Sequence, residues 1–237
     1  MIAFKNCEIG YHSVLVRIPE LNLIAGTIYA LIGANGSGKS TLLNTIINKK
    51  SLLSGQLFID SKNHTTFSAK DLAQKIAYVE SKFDGVEYLT VEEYISLGRT
   101  PYTDAFGRLG EDDKKAVSEA ITILNLNSFK DKYTLNLSDG ERQLVAIARA
   151  LAQSIPIIVL DEPTAFLDYG NRIKLVQTLS KIAVEQNKCI VFSSHDIDLC
   201  LDSNIQMLIV NQQNKTLELC TTDVSKKKIL GIGFGIQ

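Results

Sequence analysis

One octapeptide restricts what this chain can fold into more than any other feature. Gly33-Ala34-Asn35-Gly36-Ser37-Gly38-Lys39-Ser40 fills the pattern GxxxxGK[ST] completely. The run Ile28-Tyr29-Ala30-Leu31-Ile32 before it predicts a strand, and Lys39 to Asn48 after it predicts a helix. Strand, glycine-rich loop and helix in that order make a cradle for a phosphate. The glycines let successive backbone N–H groups curl around an anion without Cβ clashes, at the positive end of the helix. Among Gly33, Asn35, Gly36, Ser37, Gly38, Lys39, Ser40 and Thr41, Lys39 supplies a point charge for the β and γ phosphates. The Ser40 hydroxyl is a ligand for Mg²⁺. The plain alternative is an ordinary turn between strand and helix.

A site that hydrolyses a triphosphate needs a second, acidic element. Ile157-Ile158-Val159-Leu160-Asp161-Glu162 supplies four apolar strand residues ending in two carboxylates. Asp161 is suited to the magnesium shell, and Glu162, one residue on, to polarising water. Read alone, such a pair is equally a solubility feature at a strand end. Pro163 stops the strand from simply continuing.

The rest of the chain predicts an α/β fold: a P-loop NTPase core with an N-terminal antiparallel β-subdomain and an inserted helical subdomain. Short β-rich runs occupy Ile2 to Lys5, Val14 to Ile18, Thr27 to Ile32 and Gln56 to Asp60. From about Val91 to Ala152 the periodicity is helical, notably in Val91 to Leu97 and Asp112 to Leu124. Apolar strands then alternate with a helix: Ile155 to Leu160, Gly170 to Glu185, Cys189 to Phe192. Wholly apolar strands between helices indicate a parallel sheet covered on both faces. We expect one domain over residues 1–237, with the helical subdomain spanning roughly 85–153.

Charge and cysteine content narrow the functional classes. The balance of 25 Lys+Arg against 26 Asp+Glu removes the basic bias of a duplex-binding protein, so no nucleic-acid partner is expected. Lys226-Lys227-Lys228 reads as a solvated helix face. Cys7, Cys189, Cys200 and Cys220 show no CxxC pair and no metal-ligand spacing, which predicts reduced, mostly buried thiols. With no signal-like start and no apolar run near the roughly 20 residues of a membrane span, a soluble chain is expected, held at a membrane only by a partner.

Between the P-loop and the acidic strand stands Leu137-Ser138-Asp139-Gly140-Glu141-Arg142-Gln143, and here the chain resembles the ATP-binding cassette family. Leu137 to Glu141 occupies the place of that family's LSGGQ signature. Ala165-Phe166-Leu167-Asp168 looks like its D-loop, and Ser193-Ser194-His195-Asp196 like its switch histidine. Tyr11 stands where the family places an aromatic to stack on adenine, with core packing as its plain alternative. The resemblance implies ATP and Mg²⁺ as ligands, Glu162 and His195 as catalytic residues, and Ser138, Gly140 and Asp168 at the nucleotide. A surface histidine is the plain alternative for His195. Because the P-loop already occupies one side of the nucleotide, the signature must act from a second copy, which implies a head-to-tail homodimer in the ATP-bound state.

Leu97-Gly98-Arg99-Thr100-Pro101-Tyr102 is similar to a segment of cassettes that power import of iron–siderophores, haem or cobalamin. That implies an ATPase subunit on the cytoplasmic side of the membrane. It would be bound to a separate polytopic permease and act indirectly with a solute-binding protein. The alternative is a soluble cassette ATPase, for example one assembling iron–sulfur clusters. Two positions depart from the family pattern. Glu80 and Ser81 stand where proline and glutamine are usual, and Asp139 replaces the first signature glycine. Asp139 is expected either to cap the following helix or to repel phosphate, less so if Arg142 screens it.

Overall fold

Strands that are apolar on both faces can be buried only between two layers, and the central strands of this chain serve two cores at once. The computed structural model describes residues 1–103, 106–221 and 224–235, and in them ten strands join one sheet. The N-terminal part comprises β1 (Ile2–Gly10), β2 (Val14–Leu23) and β3 (Thr27–Ile32). The P-loop leads into α1 (Lys39–Ile46), followed by β4 (Ser54–Ile59), β5 (Lys62–Asn63), α2 (Ala69–Ala73) and β6 (Ile76–Val79). Three helices come next, α3 (Val91–Ser96), α4 (Glu111–Ile123) and α5 (Asp139–Ala152). The chain then returns to the sheet with β7 (Ile157–Leu160), α6 (Tyr169–Glu185), β8 (Cys189–Ser194) and α7 (Ile197–Asp202). It ends with β9 (Gln206–Asn211), β10 (Thr216–Cys220) and α8 (Lys226–Phe234).

The sheet order is β5-β4-β1-β2-β10-β9-β3-β8-β7-β6. Its one half, β9 to β6, is parallel; β5, β4, β1 and β2 form an antiparallel arm, and β10 joins the two, antiparallel to β9 and parallel to β2. The α/β fold class with an antiparallel N-terminal arm is therefore as expected. Side chains alternate across the parallel half. Ile28, Ala30, Ile32, Ile158, Leu160, Ile190 and Phe192 join the core shared with α3 to α6. Tyr29, Leu31, Ile157, Val159 and Val191 join the one beneath α1. Each buried Val, Leu, Ile or Phe among them contributes about 1.5–3 kcal/mol, so both halves of the alternation hold the sheet.

The first two strands outrun the expectation. β2 continues through Pro19, which lacks an N–H, because the pairing skips Asn6 and Pro19 where β1 is bent by a left-handed Asn6 (φ 48°). β9, β10 and α7 had not been anticipated, and of α8 only the lysine face had. The lysine run lies exposed in the first turn of α8, where Lys226 Nζ donates to Asp198 at 2.7 Å. All four cysteines are free and buried, and burial pushes the Cys189 and Cys200 thiols up to about 12.

The segment Leu97 to Tyr102 has a structural task. Arg99 is buried, donates through Nε to Asp113 at 2.7 Å and through Nη1 to the Ala152 carbonyl at 2.9 Å, and lies over the Tyr102 ring. One guanidinium thus ties the turn after α3 to the start of α4 and the end of α5.

Candidate nucleotide site

Three adjacent parallel strands, β3, β8 and β7, deliver the candidate residues to one edge of the sheet. Ile32 lies beside Ser194 and Leu160 beside Phe192, so the P-loop, His195 and the Asp161-Glu162 pair all emerge from neighbouring carboxyl ends. That is where open α/β sheets place their ligands.

The P-loop has the geometry of an anion cradle. Gly36 and Gly38 adopt φ of 75° and 102°, and a Cβ on Gly38 would stand 3.0 Å from Val16 Cγ2. Only glycine therefore suits the position that opens α1. Lys39 is buried and donates to the carbonyls of Gly33 at 2.8 Å and Ala34 at 3.2 Å. Burial holds its ammonium below the ordinary lysine range, against the opposing charges of Glu162 and Asp161. Ser37 Oγ is buried without a hydrogen-bond partner among the described residues, a donor held ready inside the loop. Ser40 is exposed at the first turn of α1, and Thr41 beside it is buried.

Ser193 organises the two carboxylates, a role the sequence reading missed. Its Oγ donates to Asp161 Oδ1 at 2.6 Å and accepts from the Glu162 N–H at 2.8 Å. Asp161 Oδ2 makes no hydrogen bond among the described residues. Glu162 adopts a left-handed φ of 45°, which turns the chain off the strand and sets its Oε1 2.7 Å from His195 Nε2. His195 lies exposed at the surface, as its plain alternative held, and there partners Glu162. No group of three or more His, Cys, Asp or Glu side chains among the described residues could hold a metal by itself. Ser40 and Asp161 fit a Mg²⁺ that shares its coordination with phosphate oxygens and water.

Ser138, Gly140 and Asp168 form a second cluster, with no hydrogen bond or ion pair to the P-loop. Ser138 caps α5, accepting from Glu141 N and donating to its carboxylate in a capping box. The same contacts, the backbone N–H of Ser138 first, hold the Glu141 carboxyl below its ordinary range. A Cβ on Gly140 would approach the Phe166 carbonyl to 2.9 Å, so α5 begins pressed against the 165–168 turn. Asp168 caps α6 by accepting from Asn171 N at 2.9 Å. The cap of α5 is Ser138 and not Asp139; Asp139 is its first residue and pairs with Arg142, which screens it as expected. Tyr11 is 60 % exposed, which excludes the core-packing alternative, and Lys50 Nζ lies 4.1 Å from its ring centroid. Glu80 pairs with Lys49 at 3.1 Å, and Ser81 is exposed.

Comparison with known proteins agrees with this arrangement. A family model described as ABC transporter matches residues 16–165. An ABC transporter ATP-binding protein of Methanocaldococcus jannaschii is 37% identical over 97% of this chain and 80% of its own. The iron(3+)-hydroxamate import ATP-binding protein of Bacillus subtilis is 32% identical over 95% of this chain and 86% of its own. Among solved structures, a metal-chelate type ABC transporter in an inward-facing conformation superposes with a TM-score of 0.83 and 26% identity. It covers 99% of this chain and 88% of its own. A dimeric ATP-binding cassette in a post-hydrolysis state with ADP and Pi gives 0.79 and 28%, covering 95% and 100%.

Proposed function

The chain belongs to the ABC transporter family of ATPases, and from that premise we propose that it powers import of an iron–siderophore, haem or cobalamin-like compound through a separate membrane permease. The observation that carries the ATPase reading is the Glu162–His195 pair, set at the strand ends beside a complete P-loop. The importer reading is supported by relatives that bear import names, and it ranks above a soluble cluster-assembly ATPase for that reason.

The residues divide the work as follows. The N–H groups of Gly33 to Ser40 and the Lys39 ammonium bind the β and γ phosphates, Asn35, Ser37 and Thr41 complete the cradle, and Tyr11 stacks on adenine. Bound through Ser40 and Asp161, Mg²⁺ supplies charge neutralisation at the phosphate oxygens. Glu162 accepts the proton of the attacking water, and His195, hydrogen-bonded to it, fixes the carboxylate and reaches toward the γ-phosphate. Ser138, Gly140 and Asp168 meet the nucleotide of a second copy, so the working state is a head-to-tail homodimer at the cytoplasmic face of the membrane. A polytopic permease and, through it, a solute-binding protein complete the system. No helix among the described residues is long and apolar enough to cross a membrane. The test is co-expression with the permease, reconstitution in proteoliposomes and uptake of iron(III)-hydroxamate, haem and cobalamin. ATP-dependent accumulation of one of them is expected; a chain that hydrolyses ATP yet neither co-purifies with the permease nor supports uptake of any of the three would favour the soluble alternative.

A further inference from the structure

Arg172 lies in the first turn of α6 and is assigned no part in the chemistry above. Its Nε donates to the Leu167 carbonyl at 2.8 Å, in the turn that carries Asp168. Its Nη1 lies 3.6 Å from Asp196 Oδ2, beside His195. Asp196 is itself fixed, since its Oδ1 accepts from Leu199 N at 3.0 Å and its N–H donates to Ser194 Oγ at 3.0 Å. Arg172, Thr164, Ser194, Asp196 and the Glu162–His195 pair enclose a cavity of about 90 Å³. One half-buried guanidinium therefore braces the segment carrying His195 against the segment carrying Asp168. Nε makes a hydrogen bond to one element while Nη1 faces the other as an ion pair at 3.6 Å; the planar guanidinium presents both groups at fixed angles, which a lysine ammonium does not.

We propose that Arg172 is a positioning residue for hydrolysis: it holds the 194–196 segment so that His195 stays hydrogen-bonded to Glu162. The proposal rests on the role given to that pair. It leaves nucleotide binding to other residues, so its loss falls on turnover and not on affinity. Its effect runs through His195, so it vanishes once His195 is gone.

The full-length chain carries the test, with steady-state ATP hydrolysis, ATP affinity by fluorescent-nucleotide competition and a melting curve for each variant. Arg172→Met is expected to lower kcat about tenfold, equal to about 1.4 kcal/mol of barrier, with ATP affinity within about twofold of the parent. Arg172→Lys recovers only part of that loss. Asp196→Asn, which keeps the α7 cap and removes the charge facing Arg172, gives a similar fall and guards against a misfolded Arg172→Met. In a His195→Ala background, Arg172→Met adds no further loss. An unchanged kcat in both Arg172→Met and Asp196→Asn, an affinity loss equal to the rate loss, or full additivity with His195→Ala each overturns the proposal while leaving the His195–Glu162 pair standing. Parental turnover in His195→Ala removes the pair's own role and the proposal with it.

Discussion

His195 Nε2 and Glu162 Oε1 meet at 2.7 Å although 33 residues separate them in the chain. The meeting follows from sheet order. β7 and β8 are parallel neighbours, so Asp161-Glu162 and His195 leave the sheet side by side, and Ser193 fastens the two strand ends together. The left-handed backbone at Glu162 completes the contact by aiming its carboxylate across the gap.

Glu162→Gln keeps the size and the hydrogen bond to His195 but removes the proton acceptor. Turnover should fall by at least about 100-fold, the usual contribution of a positioned base, while ATP still binds. Because bound ATP then persists, the dimer should accumulate on gel filtration with Mg-ATP. Turnover close to that of the parent would exclude Glu162 as the base.

Tyr11→Ala should weaken ATP binding by about 1–2 kcal/mol, the scale of base–aromatic stacking, and Tyr11→Phe should not. Lys50 covers one face of the ring and leaves stacking to the other. Binding of inorganic tripolyphosphate, which has no base, should be the same in all three proteins. Equal ATP affinities across the series would leave Tyr11 an exposed aromatic without a ligand.

Local chemistry explains which parts of this arrangement could be read from sequence. Gly36, Gly38 and Lys39 are dictated by what a phosphate demands of three or four consecutive residues, so their pattern declares itself. The same holds for Asp161-Glu162, where an apolar strand ends in charge. Ser193 and Arg172 carry no such signal. A serine at the end of an apolar strand and an arginine in a helix are ordinary until β8 is placed beside β7 and α6 beside the 194–196 segment, which only long-range pairing decides. β9 was missed for a similar reason. Met207-Leu208-Ile209-Val210 is a short apolar run that fits helix or strand, and its pairing with β3 settles it. The Leu97 to Tyr102 segment carried a resemblance whose physical content, the Arg99 tie, appeared only when three helices were in place.

Asp113→Asn should destabilise the fold in a pH-dependent way. The Arg99 hydrogen bond, then the Gly110 N–H, holds the Asp113 carboxyl below its ordinary range, in a side chain only 12% exposed. A depressed carboxyl contributes stability above its unfolded pKa, about 3.9, and loses it as pH falls through the lower folded value. The substitution should therefore cost about 1–3 kcal/mol at pH 7 and progressively less below about pH 4. Denaturant unfolding at pH 7 and pH 3.5 measures the difference. A penalty equal at both values would mean that packing, not charge, is what Asp113 provides.

Asp139→Gly tests whether the signature's extra carboxylate opposes closure of the dimer. Two features of the structure argue that it does not. Asp139 pairs with Arg142, whose Nη1 is itself anchored on the Leu137 carbonyl at 2.7 Å, so the cation cannot easily swing away. Asp139 also sits in the first turn of α5, where the helix dipole favours an anion. The cap itself is made by Ser138 with Glu141 and survives the substitution. An unscreened carboxylate about 5 Å from a phosphate would contribute about 3 kcal/mol of repulsion at an effective dielectric near 20, whereas a paired one contributes little. In a Glu162→Gln background, Asp139→Gly should leave the ATP-bound dimer fraction unchanged and lower stability by no more than about 1 kcal/mol, from the lost ion pair and the flexible glycine. Gel filtration with Mg-ATP beside a melting curve reads both quantities. A clear rise in dimer would show that the Arg142 pair fails to neutralise Asp139 when two copies meet.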